Sequence, residues 1–514
     1  MTIEIGPAPA DSKVGRRTLR RMFGPLIFAV QPIVMNVISI PVTAYIIRRL
    51  GPEDWGQWST ALGLIQIVSV LTSMGIRGHY VRTVAHEPAM AARLTAEQFG
   101  LRFLLAVMAG TLALFIATAI MHYPPVVIIC TALAATGLVI SCVATTGIDL
   151  FQASQRLTVI AAIGMAQGTT LTLASALAVW AGAGPIGLGV AYLTGPIVWL
   201  TISMAVIHTS YFPVRFHWNL RRFWVHLKAA RYLAAQQIIA SIGRNAEALM
   251  APRMIGMTRY GLFAAGTMVS DRMTAIPDGL GSALYPIVSA THSQNPQQST
   301  IEVASFLSLT LALCVPICIM SMFLAVPIAQ ILFPTDPQLC TTVIQITVWA
   351  LPLVGTDFIM MFALNAAGRE TSQARIVLLS NILTLATSTV LIFRFGLIGA
   401  CVSWVVRHPV SIVLRLPNFL KTFRGAFAEL PLLRIAACNA LLFAVLWWGH
   451  PLLWASTAVA SGRTSLYFWI DILGRMAVEG TVAMVVYGVS ATLLRVFGDA
   501  ELGALIGRIR RRRS

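Results

Sequence analysis

Apolar stretches long enough to cross a membrane alternate along the whole chain with short polar connections. A helix needs about 20 mostly apolar residues to span the hydrocarbon core of a bilayer. About fourteen stretches of the sequence reach that length, so they predict an all-α membrane protein of about fourteen transmembrane helices. The predicted helices cover roughly 24–46, 58–82, 100–121, 124–147, 158–181, 186–207, 231–252, 259–288, 303–325, 340–366, 374–393, 397–418, 432–450 and 468–495.

Two segments of the sequence occur twice, which indicates an internal duplication. Residues 45–61 align with 250–266 at a shift of about 205 positions, and residues 150–156 align with 363–369 at a shift of about 213. The first alignment pairs Arg48 with Arg253, Gly51 with Gly256, Gly56 with Gly261 and Trp58 with Phe263. These matches predict two similar six-helix lobes, over 24–210 and 231–420, followed by two helices in 430–496. An even number of helices gives both lobes the same orientation, as in parallel-repeat transporters that alternate access to a cleft between their halves.

The composition fits a membrane protein and accounts for the strong positive charge. The chain is 57% apolar and 11% charged, whereas soluble domains carry about 25% charged residues. Its net charge is +18, and lysine and arginine concentrate in the cytoplasmic connections of membrane proteins. Here they cluster in the tails 1–23 and 497–514 and in alternate connections, among which we count Arg102 and Arg415. Both termini are therefore predicted to be cytoplasmic, and the charge requires no nucleic-acid partner.

The connection between the lobes is predicted to form an amphipathic helix over 211–230. Its apolar residues recur at helical spacing while basic residues occupy the other faces, which is typical of helices that lie in the membrane interface. The apolar positions are Phe212, Phe216, Leu220, Phe223 and Leu227. This helix is either a structural linker held by anionic lipid or a lever that couples the two lobes.

The sequence does not predict an enzyme. Its glycine-rich turns join apolar helices and lack the Lys-Ser/Thr pair that holds phosphate in nucleotide-binding loops. No long connection outside the membrane carries a pair of carboxylates. The seven cysteines mostly lie inside apolar stretches, without a C-x-x-C pair or a histidine cluster, so they are predicted to be small core residues. No cofactor or metal site is predicted, and the identity of a coupling ion is left open.

Charged residues inside the predicted helices are the candidates for a functional site. A charge at the centre of a bilayer costs roughly 2.5–3.5 kcal/mol on insertion scales, so it faces a water-filled cavity or a partner. The charged candidates are Arg77, Arg244, Glu247, Asp271, Arg272, Asp278, Asp357 and Arg407, to which the first predicted helix adds the polar residues Gln31 and Asn36.

These residues allow a structural and a functional interpretation. Arg244 with Glu247, and Arg475 with Glu479, have the spacing of ion pairs within one helix, and Asp271 could neutralise Arg272. Alternatively, arginines at mid-depth between two lobes would form a positive cavity. Because the planar fork of donors on arginine matches phosphate, such a cavity suits an amphiphilic anion and suits a cationic drug poorly.

Three stretches resemble one family of bacterial proteins. The sequence RRLGPEDWGQWS at 48–59 is similar to the turn between the first two helices of Wzx-type polysaccharide flippases. These belong to the multidrug/oligosaccharidyl-lipid/polysaccharide (MOP) exporter superfamily. Residues 253–265 resemble the equivalent turn of the second lobe, and residues 364–369 followed by 395–401 resemble the region from the tenth to the twelfth helix. The resemblance implies twelve to fourteen helices in two lobes, and relatives often carry an acid at the position of Glu247.

The resemblance implies a flippase of the bacterial inner membrane that moves undecaprenyl-diphosphate-linked oligosaccharide for polysaccharide biosynthesis. Its expected partners are this substrate, the bilayer and the glycosyltransferases and polymerase of the pathway. Arg244 and Arg272 are the first candidates to contact the diphosphate or an acidic sugar, followed by Arg407 and Arg77. The acids listed above would bind sugar hydroxyls or couple an ion.

Three other functions stay open. One is a cation-coupled multidrug exporter of the same superfamily, although such exporters typically carry an acid on the first helix, and this sequence has none there. The others are an integral-membrane glycosyltransferase or polymerase, and a scaffold of a polysaccharide complex that transports nothing. The lipid II flippase branch also has fourteen helices, but several of its cavity arginines lie in the first lobe.

Overall fold

The described chain is helical, as the sequence predicts. The computed structural model describes residues 14–72, 80–81, 83–84, 86–213, 238–334, 337–454 and 466–494, and these ranges contain no β-strand. Nine helices in this part of the chain are long and apolar enough to cross a bilayer. The predicted tail 497–514, most of the tail 1–23 and nearly all of the linker 211–230 lie outside the described residues. The all-α, multi-pass membrane fold is confirmed.

The first half of the chain contains long helices. They are α1 (Val14–Ser69), α2 (Ala91–Phe115), α3 (Pro125–Ala153), α4 (Leu157–Trp180) and α5 (Gly184–Ser210). The helix α1 joins two predicted helices and is interrupted at Gly51, where φ is 79° and ψ is 175°. The helix α2 begins well before the predicted residue 100, because its first turns carry polar residues that a purely apolar window excludes. Arg102 therefore lies inside a helix, and its assignment to a connection was wrong.

The second half contains shorter helices because several predicted spans are interrupted. They are α6 (238–244), α7 (Ala246–Ile255), α8 (Met257–Met273), α9 (Ala275–Thr291), α10 (Pro296–Phe323), α11 (Ala325–Leu332), α12 (Pro337–Thr347), α13 (Ala350–Ala366), α14 (Glu370–Thr422), α15 (Leu432–Trp454) and α16 (Leu466–Leu493). Asn245 separates α6 from α7, Thr274 separates α8 from α9, and Gly396 interrupts α14.

The duplication recurs in the backbone. Gly256 has φ 86° and ψ 159°, close to the values at the aligned residue Gly51. Likewise, Gln155 and the aligned Gly368 both have positive φ, at 55° and 74°. The backbone amide of the residue that follows each of them donates a hydrogen bond to the carbonyl oxygen five positions earlier. This bond is 2.8 Å long for Arg156 and 3.0 Å long in the second copy. Such left-handed residues end helices in both repeats.

Two aligned glycines bring the repeated segments into backbone contact. A Cβ atom at Gly56 would lie 2.1 Å from the carbonyl oxygen of Met257. A Cβ atom at Gly261 would lie 1.7 Å from the carbonyl oxygen of Pro52. These distances leave no room for any side chain, so glycine is required at both positions for this packing. The repeated motif thus joins α1 to α8.

The described residues pack as two units, each with its own apolar core. One unit contains the described residues of Met1–Thr43, Val68–Ile116 and Thr131–Leu233, and the other contains those of Ala44–Ile67, Ala117–Cys130 and Ala234–Ser514. Tyr80, Phe99, Leu150, Phe151 and Ile207 contribute to the core of the first unit. Leu284, Leu307, Met360, Phe419 and Phe423 contribute to a core of the second. The second unit therefore takes in two segments that the sequence assigns to the first lobe.

Large apolar side chains cover the outside of many helices. Trp180, Phe393, Leu433 and Trp448 are among the most exposed of them. A soluble monomer rarely exposes large continuous apolar surface. Such a surface is the one expected of helices in lipid, in agreement with the hydropathy of the helices that carry these side chains.

Candidate functional site

The site is built around the interruption between α6 and α7. At Asn245 the backbone leaves the helical conformation, with φ −113° and ψ 26°. The side-chain amide of Asn245 donates a hydrogen bond of 2.9 Å to the carbonyl oxygen of Ser241. The backbone amide of Asn245 still donates to the carbonyl oxygens of Ser241 and Ile242, and its carbonyl oxygen accepts a hydrogen bond from Leu249. The interruption is therefore a single turn between two helical segments.

Glu247 lies in the first turn of α7 and is fully buried. One carboxylate oxygen accepts hydrogen bonds from Ser403 at 2.9 Å and Ser388 at 3.4 Å. The other accepts a bond of 2.6 Å from Nη2 of Arg407. A buried carboxylate needs such partners to offset the loss of its hydration. The alternative in which Glu247 pairs with Arg244 is therefore not borne out, since the acid is neutralised by a residue of α14.

Arg407 contacts both sides of the helix break. Its Nη1 donates a hydrogen bond of 2.8 Å to the carbonyl oxygen of Arg244, and its Nη2 binds Glu247. The guanidinium carbon lies 3.9 Å from the ring centroid of Trp404, which is a cation–π contact. Only 11% of the side chain is exposed. Arg407 is thus committed to contacts within the protein.

Arg244, in contrast, is exposed. Its guanidinium forms no ion pair or hydrogen bond with any residue that the structure describes. On α8, Asp271 is exposed and the adjacent Arg272 is half-buried. Thr274 caps the end of α8 with a hydrogen bond of 2.7 Å to the carbonyl oxygen of Asp271. Two interrupted helices therefore carry exposed charge in one part of the second unit.

Asp357 belongs to a second, buried cluster. Its carboxylate forms an ion pair with Arg415, and His408 lies 3.9 Å away. Arg415 also donates a hydrogen bond of 2.9 Å to Gln373, and only 3% of its side chain is exposed. Counting Arg415 with a cytoplasmic connection was wrong. Because the Asp357 carboxylate is occupied in this way, the structure gives it a stabilising role between α13 and α14.

The first unit contains a buried ion pair that the sequence reasoning missed. Arg102 on α2 binds Asp149 on α3, and both side chains are almost completely buried. Nearby, the hydroxyl groups of Tyr80 and Thr95 share a hydrogen bond of 2.6 Å. The sequence did offer one signal for this pair, because Asp149 is an isolated acid just beyond the apolar predicted helix 124–147. It had no obvious partner because Arg102 was placed in a connection.

Of the remaining candidates, the structure describes Asp278, Gln31 and Asn36. Asp278 is exposed on α9. Gln31 packs against α4, where a Cβ atom at Gly164 would lie 2.7 Å from its amide nitrogen. Asn36 is half-buried, and its carbonyl oxygen accepts a hydrogen bond of 3.4 Å from Ser39. Arg77 lies outside the described residues.

The predicted pair of Arg475 with Glu479 is wrong. Arg475 binds Asp471 at 2.9 Å instead. Glu479 is buried, and it accepts hydrogen bonds from His450 at 2.9 Å and from Trp454 at 2.8 Å. This cluster joins α15 to α16. Within the described residues, no three His, Cys, Asp or Glu side chains are grouped so that they could hold a metal ion.

The arrangement around Asn245 suits the binding of an anion. The exposed Arg244 lies at an interrupted helix. Arg407 binds the backbone carbonyl oxygen of Arg244 and leaves the guanidinium donors of Arg244 unoccupied. Interrupted helices form the binding sites of many membrane transporters. The sequence identified Arg244, Glu247 and Arg407, but Ser388, Ser403 and Trp404 were missed because only tertiary packing brings them to Glu247.

The sequence also matches a known family. The family described as "Polysaccharide biosynthesis protein" matches residues 26–292, slightly more than half of the 514 residues. No curated protein sequence matches this chain.

Solved structures share the fold. The chain is similar to "Lipid II flippase MurJ, inward closed conformation", with a TM-score of 0.64, 10% identity and coverage of 91% of this chain and 98% of that one. It is also similar to an inward-facing multidrug resistance MATE family transporter of the MOP superfamily, with a TM-score of 0.57, 13% identity and coverage of 78% and 98%. A MOP superfamily transporter from Pyrococcus furiosus gives a TM-score of 0.51 at 12% identity, with coverage of 80% and 95%. The chain therefore belongs to the polysaccharide biosynthesis protein family and has the fold of MOP-superfamily membrane transporters.

Proposed function

We propose that the protein flips a lipid-linked oligosaccharide, carried on polyprenyl diphosphate, across the bacterial inner membrane. The family assignment over residues 26–292 supports a role in polysaccharide biosynthesis. The shared fold supports transport by alternating access, because the solved structures with this fold include a flippase and a multidrug resistance transporter in an inward-facing conformation. The proposed partners are the lipid-linked substrate, the bilayer and the enzymes that build and polymerise the sugar.

The observation that carries this proposal is the free guanidinium of Arg244. No described residue pairs with this guanidinium. The sequence predicts Arg244 inside a transmembrane helix over 231–252, where an arginine costs roughly 2.5–3.5 kcal/mol to insert. A bound anion would offset that cost. Because guanidinium and phosphate match in geometry, two parallel hydrogen bonds can form between Arg244 and a diphosphate oxygen pair.

The neighbouring charges have a proposed secondary role. Arg272 would supply a second cation for the diphosphate, as its half-buried side chain lies on α8 next to the exposed Asp271. Asp271 and Asp278 would accept hydrogen bonds from sugar hydroxyl groups. Glu247, Arg407 and Asp357 would support the site without touching the substrate, because their side chains already bind other residues of the protein.

A strain that lacks the gene and carries plasmid-borne variants tests the proposal. We expect Arg244→Ala to abolish surface polysaccharide while the protein still inserts at the normal level. Arg244→Lys should retain part of the activity, because it keeps the charge and loses the planar fork. The matched control is Arg93→Ala, which removes an exposed arginine paired with Glu97 within one helix. Full polymer production by Arg244→Ala would remove Arg244 from the site.

The second candidate is a cation-coupled multidrug exporter, since its fold is shared with multidrug resistance transporters. It fits the site less well because a cationic drug would be repelled by Arg244. The susceptibility of the deletion strain to a panel of cationic drugs, measured beside its surface polysaccharide, separates the two. Hypersusceptibility with normal polysaccharide would favour the exporter.

A further inference from the structure

We infer that Arg407 is a positioning residue, which holds the interruption between α6 and α7 open so that Arg244 faces away from the protein. The inference about the interruption stands on geometry alone. Its last step, that Arg244 then binds a diphosphate, rests on the proposed function.

One guanidinium joins the two halves of the interrupted helix. The carbonyl oxygen of Arg244, the last residue of α6, accepts a hydrogen bond of 2.8 Å from Nη1 of Arg407. The carboxylate of Glu247, in the first turn of α7, accepts a hydrogen bond of 2.6 Å from Nη2 of the same arginine. These acceptors lie on opposite sides of Asn245. Since both bonds come from one planar group, they fix the distance and the angle between the two helix ends.

The clamp is anchored on α14. Arg407 stacks on Trp404 from the preceding turn of the same helix, at 3.9 Å. The ring of Trp404 is in turn contacted edge-on by Phe263 of α8, with ring centroids 6.1 Å apart. Ser403 and Ser388, both on α14, donate hydrogen bonds to the other carboxylate oxygen of Glu247. The guanidinium is therefore immobilised by contacts on its face and on both of its terminal nitrogens.

The bond to the Arg244 carbonyl competes with a continuous helix. In an unbroken helix, that carbonyl would accept from the amide of Ala248, four residues further along. Arg407 satisfies the carbonyl instead, so the chain has less to gain by closing the break. Closing it would rotate the end of α6 and turn the side chain of Arg244 towards a different face. The direction of Arg244 is thus set by a residue 163 positions away in the sequence.

Lysine cannot replace the clamp. An ammonium group is a compact donor without the planar fork, so it would bind either the carboxylate or the carbonyl oxygen in the observed geometry. Arg407→Lys should therefore keep the neutralisation of Glu247 and lose the link across Asn245. Arg407→Ala alone would leave a buried, unpaired carboxylate, which by itself destabilises a fold.

The test uses variants that separate positioning from neutralisation. The double variant Arg407→Ala with Glu247→Gln removes the clamp and leaves no buried unpaired charge. Arg407→Lys is the conservative variant, and Arg475→Ala is the matched control, because Arg475 is a membrane-helix arginine paired within its own helix. Two properties of the purified full chain in detergent are measured: hydrogen exchange of the backbone amides at 244–250 and binding of farnesyl diphosphate as the probe.

We expect the double variant and Arg407→Lys to exchange these amides roughly tenfold faster than the wild type or more, since each loses a hydrogen bond to a charged or backbone group. Both should bind farnesyl diphosphate at least tenfold more weakly, whereas Arg475→Ala should change neither property. Arg244→Ala should lose binding of farnesyl diphosphate, while hydrogen exchange of the amides at 244–250 stays as in the wild type.

Two outcomes would overturn the inference. Unchanged exchange in the double variant would show that Arg407 does not hold the break. Lost probe binding with unchanged exchange would make Arg407 a ligand-binding residue. If instead exchange rises but the wild type itself fails to bind farnesyl diphosphate, the positioning role stands and the proposed function fails.

Discussion

A methyl group at Gly261 tests the contact between the repeated segments. Gly261→Ala would place a Cβ atom 1.7 Å from the carbonyl oxygen of Pro52 and 3.0 Å from the amide nitrogen of Gly56. All of these obstructing atoms belong to the backbone, so no rotation of a side chain can make room. The segment around 52–56 and α8 must therefore move apart.

The expected cost follows from two opposing effects. Extra atoms in a close-packed contact cost about 1–3 kcal/mol and occasionally more, and a backbone clash this close belongs at the upper end. Alanine in place of glycine within a helix gains about 1 kcal/mol. The net effect is a destabilisation of about 2 kcal/mol. Gly279→Ala is the control, because no atom lies within 4 Å of a Cβ atom there, so only the gain in helix propensity remains.

The assay is thermal unfolding of the purified protein in detergent, followed by tryptophan fluorescence at one fixed scan rate because unfolding of large chains is often irreversible. Gly261→Ala should lower the midpoint, and Gly279→Ala should leave it unchanged or raise it. Equal midpoints for the two variants would refute the packing of α1 against α8.

Two buried acids give further predictions. Arg415→Ala should destabilise the fold by about 3–5 kcal/mol because it leaves Asp357 buried without its ion-pair partner. Size-exclusion profiles should show a loss of monodisperse protein. The double variant Arg415→Ala with Asp357→Asn should partly restore it. Glu479→Ala should lower the thermal midpoint because it removes the shared acceptor of His450 and Trp454, which are partly buried. Arg475→Ala should lower it little, since ion pairs that are partly exposed contribute about 0–1 kcal/mol. Equal effects of the two changes on α16 would contradict the assigned contacts.

Much of the fold follows from the sequence, because hydrophobic length and the repeat are local properties. The all-α membrane fold and the position of the repeated turns at Gly51 and Gly256 follow from patterns that a reader can count. Helix ends were less predictable. The start of α2 was missed because its first turns are polar, so Arg102 was counted with a connection and its partner Asp149 was overlooked.

The site was only partly predictable, because a helical spacing assumes an unbroken helix. The structural alternative, in which Arg244 pairs with Glu247, depended on that assumption, and the break at Asn245 removes it. Asparagine forms helices poorly, but it is a weaker signal than proline or glycine. The true partner, Arg407, was itself a candidate, but its link to Glu247 depends on how α14 packs against α7. That packing cannot be derived from spacing along the chain.

A flipping assay in reconstituted vesicles measures directly whether this chain moves lipid-linked sugar across a bilayer. Purified wild-type protein and the Arg244→Ala variant are incorporated at equal density with a fluorescent, polyprenyl-diphosphate-linked oligosaccharide, and a membrane-impermeant reductant quenches the outer leaflet. We expect the wild type to make the inner pool accessible faster than protein-free vesicles do, and Arg244→Ala to match those empty vesicles. A wild-type rate equal to that of empty vesicles, from protein shown to be folded, would contradict the claim that this chain flips lipid-linked sugar.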